Sequence, residues 1–335
     1  MTDSTFSPDS PSRSQTRNAS PSELPTPAAS SPMASPALTA SADGADAMTQ
    51  VRKLAQRLTM ATLILMAIGS ATRVMNAGLA CPDWPLCYGQ LLPSSQMNLQ
   101  VFLEWFHRLD ASIVGFGTIA LAGLSWWKRT QLPRWTPWLA SLALFLVVFQ
   151  GILGGLTVTE LLQFEIVTAH LGTALLFFLT LLSITVLLSP YRATGAVNHL
   201  AWPSTIATVL VYGQSLLGGV VASRWALHQC LAVSNLCAVI NSHIIGVFPA
   251  TIASLTLVIW AWRSPGLHPW LRILQNLAGF ALIAQVLIGV AAFKLRLQVE
   301  PLTVSHQLVG AVLLGALMAF SILAWRDRRA TAAVS

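Results

Sequence analysis

Long runs of apolar residues alternate with short polar segments along most of the chain. Eight such runs are each long enough to cross about 30 Å of hydrocarbon as a helix. Because backbone groups cannot stay unpaired in lipid, runs of this length predict helices rather than irregular segments. The short loops between them predict antiparallel neighbours in a bundle. We place the runs at residues 58–78, 101–125, 137–158, 164–188, 202–222, 239–262, 270–292 and 303–325.

The first 48 residues follow a different pattern. They are rich in Ser, Pro, Thr and Ala and have no apolar periodicity, which predicts a disordered tail. Their acidic residues argue against an organelle transit peptide, and no apolar core of a secretory signal is present in them. We therefore interpret residues 1–48, like residues 327–335, as cytoplasmic tails.

Four histidines repeat at fixed intervals near the starts of the even-numbered runs. They are His107, His170, His243 and His306. The two members of each pair are 63 residues apart, and 136 residues separate equivalent members of the two pairs. The repeat predicts an all-α polytopic membrane protein built as two tandem four-helix bundles with pseudo-twofold symmetry, at residues 49–190 and 191–326.

The odd-numbered runs also contain a repeat. Residues 150–155 read Gln-Gly-Ile-Leu-Gly-Gly, and residues 214–219 read Gln-Ser-Leu-Leu-Gly-Gly. A third version, Gln-Val-Leu-Ile-Gly, lies at 285–289, and Gly69 is a degenerate fourth. Two interpretations stay open: close packing between membrane helices, or room for a flat macrocycle.

Composition supports a membrane protein. Of the 335 residues 54% are hydrophobic and only 9% are charged, whereas soluble domains have about 25% charged residues. The mean hydropathy is +0.64. The net charge of +7 does not indicate nucleic-acid binding, because most Lys and Arg lie beside apolar runs and form no basic patch interleaved with aromatic residues.

The distribution of Lys and Arg predicts the orientation. One set of run ends is rich in them, whereas the other has only Arg73, Arg224, Lys294 and Arg296. Positive charge favours the cytoplasmic side, so both termini are predicted to be cytoplasmic. The four histidines then lie at similar depth in the outer half of the membrane.

Ionisable residues inside a membrane indicate function. Two neutral imidazoles facing each other across a bundle are typical axial ligands of haem iron. Two histidine pairs at one depth therefore predict two haem sites, with another metal such as copper as the alternative.

The first histidine has an acidic neighbour. Glu104 lies three residues before His107, so the two share a helix face. The corresponding positions before the other histidines are occupied by Val167, Ile240 and Thr303. Glu104 could orient His107, or act as an acid, base or stabiliser of positive charge beside a bound porphyrin.

Two arginines are candidates for contacting haem propionates. Arg73 lies near the outer end of the first run. Arg108 could contact a propionate or pair with Asp110 or Glu104.

The four cysteines fall in two outer loops, at matching places in the two halves. We expect two local disulfides, Cys81–Cys87 and Cys230–Cys237, since disulfides persist outside the cytoplasm. Redox-active pairs and a metal site that includes His228 stay open as alternatives.

Several of these segments resemble the haem A synthase family. They are residues 78–87 (Gly-Leu-Ala-Cys-Pro-Asp-Trp-Pro-Leu-Cys), residues 104–108 (Glu-Trp-Phe-His-Arg), residues 170–172 (His-Leu-Gly) and His306. The resemblance covers about residues 50–325. It implies an eight-helix, pseudo-twofold membrane protein that oxidises a ring methyl group of haem O to the formyl group of haem A for terminal oxidases.

The resemblance also assigns roles to the residues. His243 and His306 would hold a permanent haem b. His107 and His170 would bind the substrate haem O, with Glu104 catalytic. Both cysteine pairs match loop disulfides of the family. Ile244 departs from the pattern, because an Arg often follows this histidine in the family.

The implied partners are haem O synthase and an electron acceptor, in a bacterial plasma or internal membrane, and a homo-oligomer stays open. Two other functions compete. A bis-histidine cytochrome b that carries electrons would need no Glu104, and a haem transporter or chaperone would bind haem without oxidising it.

Overall fold

The computed structural model describes residues 36–195, 197–222, 235–295 and 298–332. Within these ranges the chain forms eight long helices, with two short 3₁₀ helices at Ser94–Gln96 and Asn198–Leu200. The long helices are α1 (Pro36–Val74), α2 (Leu99–Trp127), α3 (Trp135–Thr159), α4 (Phe164–Leu187), α5 (Ala201–Val221), α6 (Asn235–Arg263), α7 (Pro269–Lys294) and α8 (Glu300–Ala332).

All eight helices contain a segment long and apolar enough to cross a membrane, which confirms the predicted class. The ends of α2 to α7 fall within four residues of the predicted ends. The apolar runs therefore determine most helix boundaries, and the two terminal helices are the exceptions.

Helix α1 begins well before the predicted start. It starts at Pro36, so the prediction of a disordered tail was wrong for residues 36–48. Ala47, Val51 and Ala55, each one helical turn after the last, are completely buried in a cluster with residues of α2, α3 and α4. This stripe of small residues packs on its neighbours although the segment around it is polar. Residues 1–35 lie outside the described part of the chain.

Helix α8 also continues beyond its predicted end, through Ala332 instead of stopping at residue 325. Asp327 is completely buried there. Its carboxylate accepts hydrogen bonds from the backbone N–H of Thr194 (2.6 Å) and of Val197 (3.3 Å). The end of α8 is therefore part of the packed structure, because it binds the segment that links α4 to α5.

Two large hydrophobic clusters organise the described helices. One joins α1, α2, α3 and α4, and includes Val51, Leu121 and Leu181. The other joins α5, α6, α7 and α8 and extends to α4 through Leu175 and Phe178. Helices α5 to α8 form a closed ring in which each helix packs against the next, and α4 packs on both α5 and α8. This packing agrees with tandem four-helix bundles, whereas the boundaries 49–190 and 191–326 stay a prediction.

Candidate haem sites

The four histidines occupy equivalent places in the even-numbered helices. His107 and His243 are each the ninth residue of their helices, and His170 and His306 are each the seventh. The histidines of each pair lie close enough to interact electrostatically, His107 with His170 and His243 with His306. The fold therefore brings together the two pairs that the spacing predicts.

Each imidazole packs against a glycine of the preceding helix. A Cβ atom added at Gly69 would lie 2.7 Å from Cε1 of His107, and one at Gly289 would lie 2.8 Å from Cε1 of His306. Real Cβ atoms essentially never come this close, so a larger residue there would force the histidine ring to shift.

The other two glycines follow the same arrangement with more space. An added Cβ would lie 3.0 Å from Cε1 of His243 at Gly218, and 3.4 Å from Cε1 of His170 at Gly154. The repeated glycines therefore make room for histidine rings. The sequence pattern alone could not distinguish this from general helix packing or from space for a macrocycle.

The polar atoms of the rings fit axial ligands of haem. The Nδ1 atoms of His107, His170 and His306 are buried and have no hydrogen-bond partner among the described residues. A histidine that binds iron through Nε2 carries its proton on Nδ1. The paired rings and their glycine seats suit two flat groups that are each held by two histidines.

A metal site made of several protein ligands has no support in the described part of the chain. No group of three or more His, Cys, Asp and Glu residues there could hold a metal ion. Zinc and copper sites usually need at least three such ligands, whereas haem iron needs only two axial ones.

Glu104 lies in the first half at the junction between α2 and the first loop, residues 75–98. It is only 4% exposed. One carboxylate oxygen accepts a hydrogen bond from the backbone N–H of Cys81 (2.8 Å), and the other pairs with Nη2 of Arg108 (2.6 Å). Glu104 is therefore held by the loop and by Arg108, and it makes no hydrogen bond with Nδ1 of His107.

Arg108 continues this network into the loop. Its Nη1 donates to the backbone carbonyls of Asp83 (2.6 Å) and Leu86. Of the partners that the sequence suggested for Arg108, the structure shows the ion pair with Glu104. A propionate contact by Arg108 stays a prediction, with most of the guanidinium already engaged in the protein.

This first loop is a compact unit. Cys81 and Cys87 form the predicted disulfide, and both are buried. Asp83 accepts hydrogen bonds from the backbone N–H of Gly89 (2.7 Å) and Tyr88 (2.6 Å). These bonds, that from Gly89 first, hold the pKa of the Asp83 carboxyl below its ordinary value.

This loop covers the histidine end of the first half. The Trp84 ring lies so close to α3 that a Cβ atom added at Gly155 would be 3.3 Å from it. The Trp105 Nε1 on α2 donates to the backbone carbonyl of Leu91 (2.6 Å). The disulfide loop is thereby fixed to α2 and α3, and its Cys81 amide binds Glu104.

Arg73 connects the two halves near the histidine layer. Its Nη2 donates to Oε1 of Gln307 (3.1 Å), the residue after His306. The guanidinium therefore lies beside the second site although it belongs to α1, and its contact with a propionate stays a prediction. The side chains of Cys230, Cys237 and His228 lie outside the described residues, so the second disulfide also stays a prediction.

Comparison with known families agrees with this geometry. The family model of the cytochrome oxidase assembly protein, COX15-CtaA, matches residues 52–318, which is most of the chain. The chain belongs to this family. The matched region of the COX15-CtaA family contains all four histidines, Glu104 and the disulfide of the first loop.

Several curated relatives carry the name haem A synthase. The protein of Shewanella oneidensis is 32% identical over 193 residues, which cover 51% of this chain and 57% of the relative. That of Bacillus pumilus is 29% identical over 167 residues, 49% of this chain and 53% of the relative. That of Shouchella clausii is 28% identical over 167 residues, 48% and 55% of the two chains. The alignments thus span about half the length of these relatives.

The sequence reasoning missed the glutamines of the same repeats. Gln150, Gln214 and Gln285 each lie four residues before the glycine that seats a histidine. Their side chains contact His170, His243 and His306, respectively. The spacing of Gln and Gly was visible in the sequence, but their contact with a histidine on the next helix was not.

Proposed function

We propose that the protein is a haem A synthase, which oxidises a methyl group of haem O to the formyl group of haem A. The observation that carries the proposal is the asymmetry of the two histidine pairs. Both fit a haem, but among the described residues only the first has a buried, ion-paired carboxylate one helical turn away, at Glu104. Membership in the cytochrome oxidase assembly family and the names of the relatives support the same activity.

The two pairs would divide the work. His107 and His170, beside Glu104, would bind the substrate haem O. His243 and His306 lie in the half whose corresponding position is Ile240, so their haem would be retained unaltered. That group, haem b, would supply a relay for electrons when it is bound.

Glu104 would act on the substrate as a fixed negative charge. Its pairing with Arg108 and with the Cys81 amide holds the carboxylate in place at the histidine layer. Each carboxylate oxygen has a further lone pair beyond the one already used. Glu104 could therefore stabilise positive charge developing at the methyl carbon or accept a proton from attacking water.

The overall reaction needs water and an electron acceptor. Oxidation of the methyl group gives an alcohol, and a second oxidation gives a hydrated aldehyde that loses water to become the formyl group. Water supplies the oxygen atom, and each oxidation releases two electrons and two protons. The first outer loop would limit entry of bulk water to this site, because it is fixed over α2 and α3 by Trp84 and Trp105.

We also propose an orientation of the protein in the membrane and two partners. Both termini would be cytoplasmic, with the disulfide loop and the histidine layer toward the outer face. Haem O synthase would deliver the substrate, and an electron acceptor in the same membrane would take up the electrons.

Identification of the pigments in the purified protein tests the proposal against an electron-carrying cytochrome b. Extracted pigments are separated and identified by mass. Haem O, haem A or a hydroxylated intermediate together with haem B is the expected result. Haem B alone, in two equivalents, would overturn the synthase in favour of the carrier.

A further inference from the structure

A cavity lies between α4 and α5, the two helices that join the bundles. Its volume is about 500 Å³, within the range of about 300–1,000 Å³ that is usual for sites of small organic ligands. Its walls are mostly apolar and include Leu176 of α4 and Leu216 of α5. It extends along α4 from Phe164, the first residue of that helix, to Leu176, about three helical turns further.

The cavity is separate from both histidine pairs. The lining residues of α4 face α5, whereas His170 packs against Gly154 of α3. The lining residues of α5 face α4, whereas Gly218 packs against His243 of α6. The cavity therefore lies behind one helix of each site, and a helix with its side chains is about 10–12 Å across.

One side of the cavity opens toward the membrane. Ala169 and Leu176 line it and are exposed at the surface of α4. This helix is long and apolar enough to cross a membrane, so its exposed surface faces lipid. The cavity therefore suits a lipid-soluble ligand that enters from the bilayer.

Two hydroxyl groups belong to residues of these apolar walls. The Oγ1 atom of Thr168 is buried and has no hydrogen-bond partner among the described residues. The Tyr212 hydroxyl donates to the backbone carbonyl of Gly172 (3.3 Å) and keeps its own lone pairs as acceptors. A ligand that offers a carbonyl in one state and a hydroxyl in another would satisfy Thr168 and use the lone pairs of Tyr212.

The proposed reaction needs an acceptor with this chemistry. Each of the two oxidations of the methyl group releases two electrons and two protons. A quinone takes up two electrons and two protons when its carbonyls become the hydroxyls of a quinol. Its isoprenoid tail keeps it in the bilayer, where the cavity opens.

We propose that the cavity between α4 and α5 binds a membrane quinone, which takes up the electrons and protons released by the oxidation of haem O. This inference rests on the proposed function. The methyl group, water and one quinone give the alcohol and one quinol. The alcohol, water and a second quinone give the hydrated aldehyde and a second quinol. At the substrate a C–H bond breaks and a C–O bond forms in each step.

The polar residues have separate tasks in this site. The Thr168 hydroxyl donates to a carbonyl of the quinone, and the Tyr212 hydroxyl accepts from the quinol. Glu165, which lines the cavity and is exposed in the first turn of α4, connects the ring with water for the uptake of protons.

Photochemical cross-linking tests the site independently of turnover. The probe is a short-tailed azidoquinone, added to the purified holoprotein in nanodiscs, and the labelled peptides are identified by mass. We expect labelling of the α4 and α5 peptides that contain Thr168 and Tyr212, with competition by decylubiquinone. Labelling elsewhere would overturn the inference. So would equal competition by oleic acid, because the cavity would then hold only lipid chains.

A cavity-filling variant supplies the matched comparison. Ala169→Phe places a large side chain in the cavity from its exposed edge and should abolish the labelling. Ala120→Phe, the same change at an exposed position of α2, should leave it unchanged. Equal labelling of the wild type and the Ala169→Phe variant would overturn the inference.

Turnover with two acceptors connects the cavity with the reaction. Haem A formation is measured once with decylubiquinone and once with ferricyanide, a water-soluble acceptor. Ala169→Phe should abolish the rate with decylubiquinone and leave the rate with ferricyanide unchanged. If the wild type forms haem A with neither acceptor, the proposed function fails, and cross-linking alone decides about the cavity. If only ferricyanide supports the reaction of the wild type, this inference alone fails.

Thr168→Val separates a ligand contact from a structural role. The Thr168 hydroxyl has no partner among the described residues, so a purely structural role predicts no effect of its removal. We expect KM for decylubiquinone to rise by about 2- to 10-fold, the usual effect of one hydrogen bond. The rate with ferricyanide should not change. Thr180→Val is the control on the same helix, because its hydroxyl donates to the backbone carbonyl of Leu176 and lies outside the cavity. Equal KM values for the two variants would contradict the role of Thr168.

Discussion

Glu104 combines an observed structural role with a proposed chemical one. Its two carboxylate oxygens bind the Cys81 amide and Arg108, which fixes the disulfide loop to α2. Its place three residues before His107 puts the same carboxylate on the face of α2 that carries the ligand. The charge and the hydrogen bonds can be separated by substitution.

Glu104→Gln removes the charge but keeps an acceptor for the Cys81 amide. We expect both haem sites to fill as in the wild type. Haem A formation should fall by roughly 10²–10⁴-fold, the usual contribution of a positioned acid or base. Haem A is measured by pigment extraction after expression with haem O synthase. Glu160→Gln, an exposed change at the end of α3, is the control and should retain full output. Normal haem A output from the Glu104→Gln variant would remove Glu104 from the chemistry.

The glycine seats give a graded prediction for alanine substitutions. Gly289→Ala would place Cβ 2.8 Å from the His306 ring, so the ring must move and haem b should be lost. Gly154→Ala would place Cβ at 3.4 Å from the His170 ring, an ordinary contact, and should be tolerated. Haem content per protein, from absorption spectra, is the measurement.

Gly213→Ala is the control for these variants, because nothing lies within 4 Å of the added Cβ. It should keep its haem. Equal haem loss from the substitutions at Gly154 and Gly289 would contradict the role assigned to the seats.

At the scale of elements, the first loop depends on Asp83. The carboxylate accepts the amides of Gly89 and Tyr88, which both have positive φ values, 68° and 55°. This turn between Cys87 and Gln90 closes the disulfide loop above α2. The loop is therefore held by an ionised group as well as by the Cys81–Cys87 bond.

This arrangement predicts a pH dependence of the loop. The pKa of Asp83 is lower in the folded loop than its unfolded value of about 3.9. Its stabilising contribution is then fully present above the unfolded pKa and is lost as the pH falls through the folded pKa. Hydrogen exchange of the Tyr88 and Gly89 amides should accelerate, relative to the intrinsic rate, in that acidic window. Asp83→Asn should remove the dependence, and an identical pH profile in both proteins would disprove it.

Elements differ in how far the sequence predicts them. The boundaries of α2 to α7 follow from apolar runs, and the spacing of the histidines follows from duplication. The start of α1 does not follow from an apolar run. Ala47, Val51 and Ala55 can be recognised as buried residues only from the helices that they pack against. The same holds for Glu104 and the Cys81 amide, and for the glutamines and their histidines, which are contacts between separate segments.

At the scale of the whole molecule, the linker between the two bundles is tied to the last helix. Asp327 accepts the amides of Thr194 and Val197, and Arg326 donates to the carbonyls of Val186 (3.0 Å) and Ser189 (3.1 Å). These bonds lie at the end of α8 opposite the histidines. They hold the α4–α5 connection in place.

Asp327→Ala should therefore destabilise the protein. Removing the carboxylate leaves the buried amide of Val197 without an acceptor, at a cost of about 1–3 kcal/mol for such a group. We expect a lower midpoint of thermal unfolding in detergent. Arg329→Ala, an exposed change on the same helix, should leave the midpoint unchanged. Equal midpoints for the wild type and the Asp327→Ala variant would contradict the role of Asp327.

The central claim is that the first site changes a haem and the second only holds one. The most direct measurement is turnover of haem O by the purified protein with an added electron acceptor, with the pigments followed by mass. The account predicts a hydroxylated intermediate and then haem A, while haem B stays constant. Recovery of unchanged haem O from a protein whose two histidine pairs are both occupied would contradict it.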